Sequence, residues 1–330
     1  MDLVTVSGAG FLAGGVPFVP VGYNMTQGAV QRIGPAAYMK RAAGAGVNVL
    51  RMIWNPPIEV SHPWKIDSQF LADLQETSRA AEDYGIRMYP ALIFPNPVNW
   101  ATDLLAWPKN PFSGKYATPD LFYRNGVIDF MFYVRACLNA LLSCPVFAVE
   151  LVNELQVDSL AKYDFISLAL EGGRAFPFLI TFSRPTPYWQ DTTWERSASE
   201  GCDFIAFHSY WKDALQWHVL PEPNWWARME LRERNVVKVC EAVKTRAQGK
   251  PFMDSEIPIL PFQGPILDFL TKLLRRPKSQ DFDSHFLRVG REYLRNGAAS
   301  PGLQWSFTQD DITSGQLAQL KRLADGGLGI

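Results

Sequence analysis

The sequence predicts an α/β chain folded as one (β/α)8 barrel, and three observations carry that reading. Eight short and mostly continuous apolar runs recur along the 330 residues, the pattern of strands covered on both faces. Segments with helical spacing alternate with them from end to end, which implies a parallel sheet. No linker rich in Gly, Ser or Pro, no low-complexity tract and no shift in composition interrupts the series. Residues 1–330 therefore read as a single domain, and eight unbroken repeats favour closure into a barrel over an open sheet.

Taken in order, the strand candidates are 18–23, 47–53, 87–93, 147–152, 178–182, 204–207, 252–254 and 303–306. Ahead of them, Gly8-Ala9-Gly10-Phe11-Leu12-Ala13 follows the strand-like Leu3-Val4-Thr5-Val6 and fits a dinucleotide fingerprint. Gly14-Gly15-Val16-Pro17 forbids the helix that such a site needs, and no acidic residue near position 33 could hold a ribose. A short two-stranded β ornament is expected there instead. Helices are expected at 36–45, 68–84, 121–142, 166–174, 193–200, 229–247, 286–296 and 315–324. In 68–84, Phe70, Leu71, Leu74, Ser78, Ala81 and Tyr84 recur at steps of three and four, and Gly85 supplies the stop. Pro119-Asp120 opens the third helix, and Leu231, Val236, Val237, Val239 and Cys240 give 229–247 its apolar positions. The long segments 94–118, 209–228 and 257–284 all follow strand ends, where a barrel builds its active-site loops. They carry Trp100, Trp107, Trp211, Trp217, Trp225 and Trp226.

Composition narrows the partners. A net charge of −1 gives no electrostatic reason to expect nucleic acid or an anionic membrane. The aromatic fraction is 13%, with 11 Trp, enough to fill a core and still leave a stacking surface suited to the flat faces of sugar rings. The four cysteines form no C-x-x-C pair and read as reduced thiols, with Cys202 and Cys240 as buried packing. The four histidines make no H-x-H or H-x-x-x-H spacing, so neither a metal nor another cofactor is expected. No basic-then-apolar leader and no apolar stretch of membrane-spanning length is visible, so the chain reads as cytoplasmic, or secreted where a leader has been removed. Nothing in the sequence fixes the oligomeric state.

Two acidic residues carry the chemistry. Glu154 closes the fourth predicted strand in Glu150-Leu151-Val152-Asn153-Glu154, and Glu256 closes the seventh in Phe252-Met253-Asp254-Ser255-Glu256. In a closed barrel these two ends face each other across the mouth. Glycoside hydrolysis with retention needs that arrangement: one carboxyl protonated to donate to the leaving oxygen, the other ionised to attack the anomeric carbon, about 5–5.5 Å apart. Asp254 competes with Glu256, because regular alternation sends both side chains to one face.

In these residues the chain resembles the (β/α)8 retaining glycoside hydrolases with glutamates on strands four and seven, and most of all the cellulase and endo-β-mannanase family, glycoside hydrolase family 5. The stretch from Phe11 to Asn24 is similar to that family's opening strand, and Val47-Asn-Val-Leu-Arg51 to its second. Asn153-Glu154 matches its acid/base signature, His208-Ser209-Tyr210 its strand-six pattern, Glu256 its nucleophile and Trp305 its strand-eight tryptophan. The resemblance implies a β-glycosidase acting by double displacement on a gluco-, manno- or galacto-configured substrate. A transglycosylase, or a catalytically silent carbohydrate-binding protein on the same scaffold, is the alternative. It further implies that Arg51 holds Glu256 ionised, Tyr210 orients Glu256, Asn153 binds the sugar 2-hydroxyl and His208 lines the site beside the acid/base. Trp305 would floor the cleaved subsite, with Asn24, Trp54 and Asn55 as further substrate contacts. Arg51 could instead be a structural ion-pair residue, His208 a core histidine, and Glu150 reads as structural. Leu155 stands where the family has Pro, Ser255, Ile257 and Pro258 replace its usual neighbours of the nucleophile, and Ile93-Phe94-Pro95-Asn96 lacks its strand-three histidine.

Overall fold

A computed structural model describes residues 1–53, 58–59, 62–92, 127–157, 160–185, 192–209, 225–258, 287 and 289–305. Most of the three long segments and the expected helix at 315–324 lie outside these residues. Fourteen strands are described: β1 Val4–Ser7, β2 Gly10–Ala13, β3 Val16–Phe18, β4 Gly22–Thr26, β5 Val49–Ile53, β6 Ile58–Glu59, β7 His62–Ile66, β8 Arg87–Ala91, β9 Ala148–Glu150, β10 Leu179–Thr181, β11 Ser183–Arg184, β12 Ile205–His208, β13 Phe252–Pro258 and β14 Leu303–Trp305.

The central sheet runs β10-β9-β8-β5-β4-β14-β13-β12-β11 with every pairing parallel. Because β10 and β11 are two pieces of one strand parted only at Phe182, its ends meet. The ring closes with eight strands, and the fold is a (β/α)8 barrel. Helices follow the strands as the periodicity predicts, among them Pro35–Gly44, Ser68–Asp83, Val127–Leu141, Leu160–Gly173, Thr193–Gly201 and Trp225–Ala247. Asp67 caps the Ser68–Asp83 helix by accepting from the Phe70 amide at 2.9 Å.

Four local features differ from the sequence reading. The ornament has three antiparallel strands, β1 to β3, because Phe18 pairs back onto Phe11 rather than opening the barrel. The first barrel strand consequently starts at Gly22, four residues after the expected run begins, and only glycine fits there: a Cβ would sit 1.7 Å from the Val49 carbonyl oxygen. A β6–β7 hairpin also follows the second barrel strand, and the helix Gln27–Ile33 follows the first.

The ornament has a packing role. Inside the barrel, Val49, Tyr89, Phe147, Ala148, Leu179, Phe204, Ala206, Met253 and Leu303 form one apolar cluster, and Phe11 of β2 joins it. Its ring meets Phe147 and Phe204 edge-on at 5.1 and 5.4 Å. Both partners precede their strands, so β2 plugs the N-terminal mouth. The opposite mouth is left to polar side chains. A second and larger cluster fills the layer between strands and helices, with Tyr23, Leu50, Met88, Val149, Ile205, Phe207, Phe252 and Ile257 pointing outward.

Candidate active site

At the C-terminal mouth, the side chains that alternation turns inward change from apolar to charged. Val49 and Arg51 share the inner face of β5, as Ala148 and Glu150 share that of β9 and Ala206 and His208 that of β12. Arg51 stands at the centre, with no exposed surface. Its Nε and Nη2 donate to the two carboxylate oxygens of Glu150 at 2.9 and 2.7 Å. Nη2 also donates to Asn153 Oδ1 at 2.6 Å, and Nη1 donates to Asn24 Oδ1 at 2.6 Å and to Glu256 Oε1. All five guanidinium donors thus have acceptors. Burial works against the charge, but Glu150 and Glu256 outweigh it and hold the Arg51 pKa above its ordinary value. Burial likewise works against an ionised Glu150, and the guanidinium outweighs it and holds that carboxyl below the usual range.

Glu154 lies one turn beyond β9 in a left-handed conformation, φ 53°, which a non-glycine residue adopts only when it is held there. Ser183 does the holding. Its hydroxyl accepts the Glu154 amide at 2.8 Å and donates to Glu150 Oε1 at 2.7 Å, and its carbonyl accepts the Leu155 amide at 2.8 Å. Further along, the Val157 amide donates to Glu195 at 3.1 Å, and Glu195 is locked in a buried pair with Arg184 at 2.7 Å. The Glu154 side chain is 21% exposed, where every other carboxyl of the cluster is sealed. Burial pushes its pKa up to about 7, against the pull of Arg51 and with a contribution from Glu150.

His208 Nδ1 lies 2.8 Å from Glu154 Oε1 and 3.5 Å from Glu256 Oε2. Burial holds the imidazole pKa down to about 4, so near neutral pH it is uncharged and can share a hydrogen bond without adding a cation. A carboxylate oxygen of Glu154, one of Glu256 and a ring nitrogen of His208 lie within 4.8 Å of one another. The same three groups are those that could hold a divalent cation among the described residues.

Asp254 is not at the mouth. The β12–β13 register shifts between Phe207 and His208, pairing Phe207 with Asp254 and His208 with Glu256, so Ser255 is an extra residue in β13. Met253 points into the barrel, Asp254 points out to the helical layer, and the bulge turns Glu256 back inward. The Asp254 carboxylate accepts the Glu256 amide at 3.1 Å and the Tyr293 hydroxyl at 2.9 Å. Burial raises its pKa to about 7 despite those donors and Ser209. The competition between Asp254 and Glu256 for the mouth is therefore decided by one inserted residue.

Of the residues singled out in the sequence, Asn24, Arg51, Asn153, Glu154, His208 and Glu256 come together in one cluster. Arg51 pairs with both the structural Glu150 and Glu256. The backbone of Trp305 continues β14, beside Pro258 of β13. Tyr210, Trp54 and Asn55, together with the side chain of Trp305, lie outside the described residues. Ser183 and the Arg184–Glu195 pair escaped the sequence reading; the signal available was a polar Ser-Arg step directly after the fifth apolar run.

The chain shares its parallel (β/α)8 barrel with solved glycoside hydrolases. Among solved structures, the chain is similar to a glycoside hydrolase family 5 mannosidase from Rhizomucor miehei, with a TM-score of 0.67 at 14% identity over 99% of this chain and 98% of that one. A β-1,4-D-mannanase from Cryptopygus antarcticus gives 0.64 at 15% identity, covering 98% and 95% of the two chains. An exo-β-1,4-mannosidase from Opitutaceae bacterium strain TAV5 gives 0.65 at 16%, with 98% of this chain matching 62% of that one. No family model and no curated protein sequence matches the chain.

Proposed function

We propose that the chain is a retaining β-glycosidase acting on a manno-configured substrate. The observation that carries the reading is the approach of Glu154 and Glu256, which bring one carboxylate oxygen each within 4.8 Å across the mouth. Inverting enzymes need about 6.5–9.5 Å to admit a water between the two groups. The manno configuration is supported by the mannosidases and mannanases that share the fold, one of them solved with mannosyl-fructose.

In the resting site Glu256 is the carboxylate paired with Arg51, and Glu154 carries the proton that burial keeps on it. Glu256 attacks the anomeric carbon while Glu154 protonates the departing glycosidic oxygen, giving a covalent glycosyl-enzyme and the free leaving group. Glu154, now the carboxylate, takes a proton from the water that attacks the same carbon, and Glu256 is released. Asn153 is buried with its Oδ1 committed to Arg51, and its Nδ2 has no partner among the described residues. An unpaired buried donor is costly, and a sugar 2-hydroxyl would satisfy it where the transition state gains most.

The test is hydrolysis of nitrophenyl β-mannoside, β-glucoside and β-galactoside by the wild type and by Glu154→Ala and Glu256→Ala. Each variant is expected to lose about 10³-fold or more on the preferred sugar. Azide should rescue Glu154→Ala to a β-glycosyl azide and Glu256→Ala to an α-glycosyl azide, because the nucleophile is present in the first and missing in the second. Wild-type binding without turnover would instead identify a silent carbohydrate-binding protein.

A further inference from the structure

We infer that Asp254 is a positioning residue: it holds the bulge at Ser255 and thereby aims Glu256 into the barrel mouth. Without the extra residue, strict alternation from the inward Met253 would place Glu256 on the outer face with Asp254. The bulge is pinned on three sides. Asn24 Nδ2 donates to the Ser255 carbonyl at 2.9 Å, and the Ser255 hydroxyl donates to the Phe207 carbonyl at 3.4 Å. The third contact comes from Asp254, whose Oδ1 accepts the Glu256 amide at 3.1 Å, just after the register shift.

Asp254 is itself fixed from two other elements. Tyr293, fully buried on the helical stretch 289–295, donates its hydroxyl to Oδ2, and the side chain and backbone of Ser209, next to His208, donate as well. One buried carboxylate thus ties the end of the sixth strand, with His208, to the turn that presents Glu256. The kinetic consequence rests on the glycosidase reading; the structural one does not.

Asp254→Ala tests both. With Tm read first to establish folding, kcat on an activated aryl mannoside should fall about 100-fold, the size expected of a nucleophile displaced by about 1 Å. KM should stay within about threefold of the wild type, as for a loss confined to the reacting geometry. Covalent labelling of Glu256 by a 2-fluoro mannoside should slow by the same factor, and the Glu256 amide should lose its protection against hydrogen exchange. Asp254→Asn keeps an acceptor oxygen and should recover most of all three. If Asp254→Ala does not fold, Asp254→Leu fills the space without an acceptor and takes its place. Unchanged turnover, labelling and amide protection in the folded variant would overturn the inference. A wild type inactive on every glycoside, with amide protection still lost in the variant, would remove the glycosidase reading and leave the positioning role standing.

Discussion

A buried guanidinium is tolerable only when every donor is met, and Arg51 shows how much then depends on it. Two carboxylates and two amide oxygens surround it, drawn from the first, fourth and seventh barrel strands. Arg51→Met would leave Glu150 buried and uncompensated, and should cost about 3–5 kcal/mol in denaturant unfolding. Arg51→Lys should restore only part of this, having three donors for the same acceptors. Glu154 governs the response to pH. Its raised pKa means that the proton is present below about 7 and lost as the pH rises through it. With a poor leaving group, kcat/KM should therefore fall on an alkaline limb near 7. With a dinitrophenyl leaving group, which departs without protonation, that limb should flatten. A limb of the same position with both substrates would assign it to another group.

At the scale of the element, the site is built on interruptions of regular structure. The fourth strand ends in a left-handed Glu154, the fifth is parted at Phe182 and the seventh is bulged at Ser255. The first and the last let a side chain face where strict period-two alternation would not send it, and both are repaired by side-chain hydrogen bonds. Ser183 repairs the first. Ser183→Ala removes the acceptor of the Glu154 amide and a partner of Glu150, so Glu154 should sample other conformations. A loss of about 10-fold in kcat, with the alkaline limb shifted, is the expected outcome; unchanged kinetics would show that the turn is held by the backbone alone. None of these interruptions is legible in hydrophobic periodicity, which reports the face a residue takes only while the period persists. That is why alternation placed Asp254 beside Glu256 and the structure separates them.

At the scale of the molecule, the barrel is closed at one mouth and chemical at the other. Phe11 closes it, and Phe11→Ala should cost about 3–5 kcal/mol of stability. Turnover per folded molecule should be unchanged, because the plug and the carboxylates sit at opposite ends of the apolar interior. Unfolding curves read beside kcat separate the two effects. The likeness to the two mannosidases and the mannanase, at 14–16% identity, belongs to this scale too: it reports the path of the chain and not the identity of individual side chains.

The sequence by itself determined the class of fold, the eight strands within a few residues and the two glutamates that the structure brings together at the mouth. Those properties are carried by local information: continuous apolar runs, helical spacing and acidic residues at the ends of runs. Only the tertiary structure decided which of Asp254 and Glu256 faces the mouth, that Arg51 serves Glu150 and Glu256 together, and that burial lifts Glu154 toward neutral pH. These depend on register and on desolvation, which arise between strands distant in the chain and leave no mark on the spacing within any one of them.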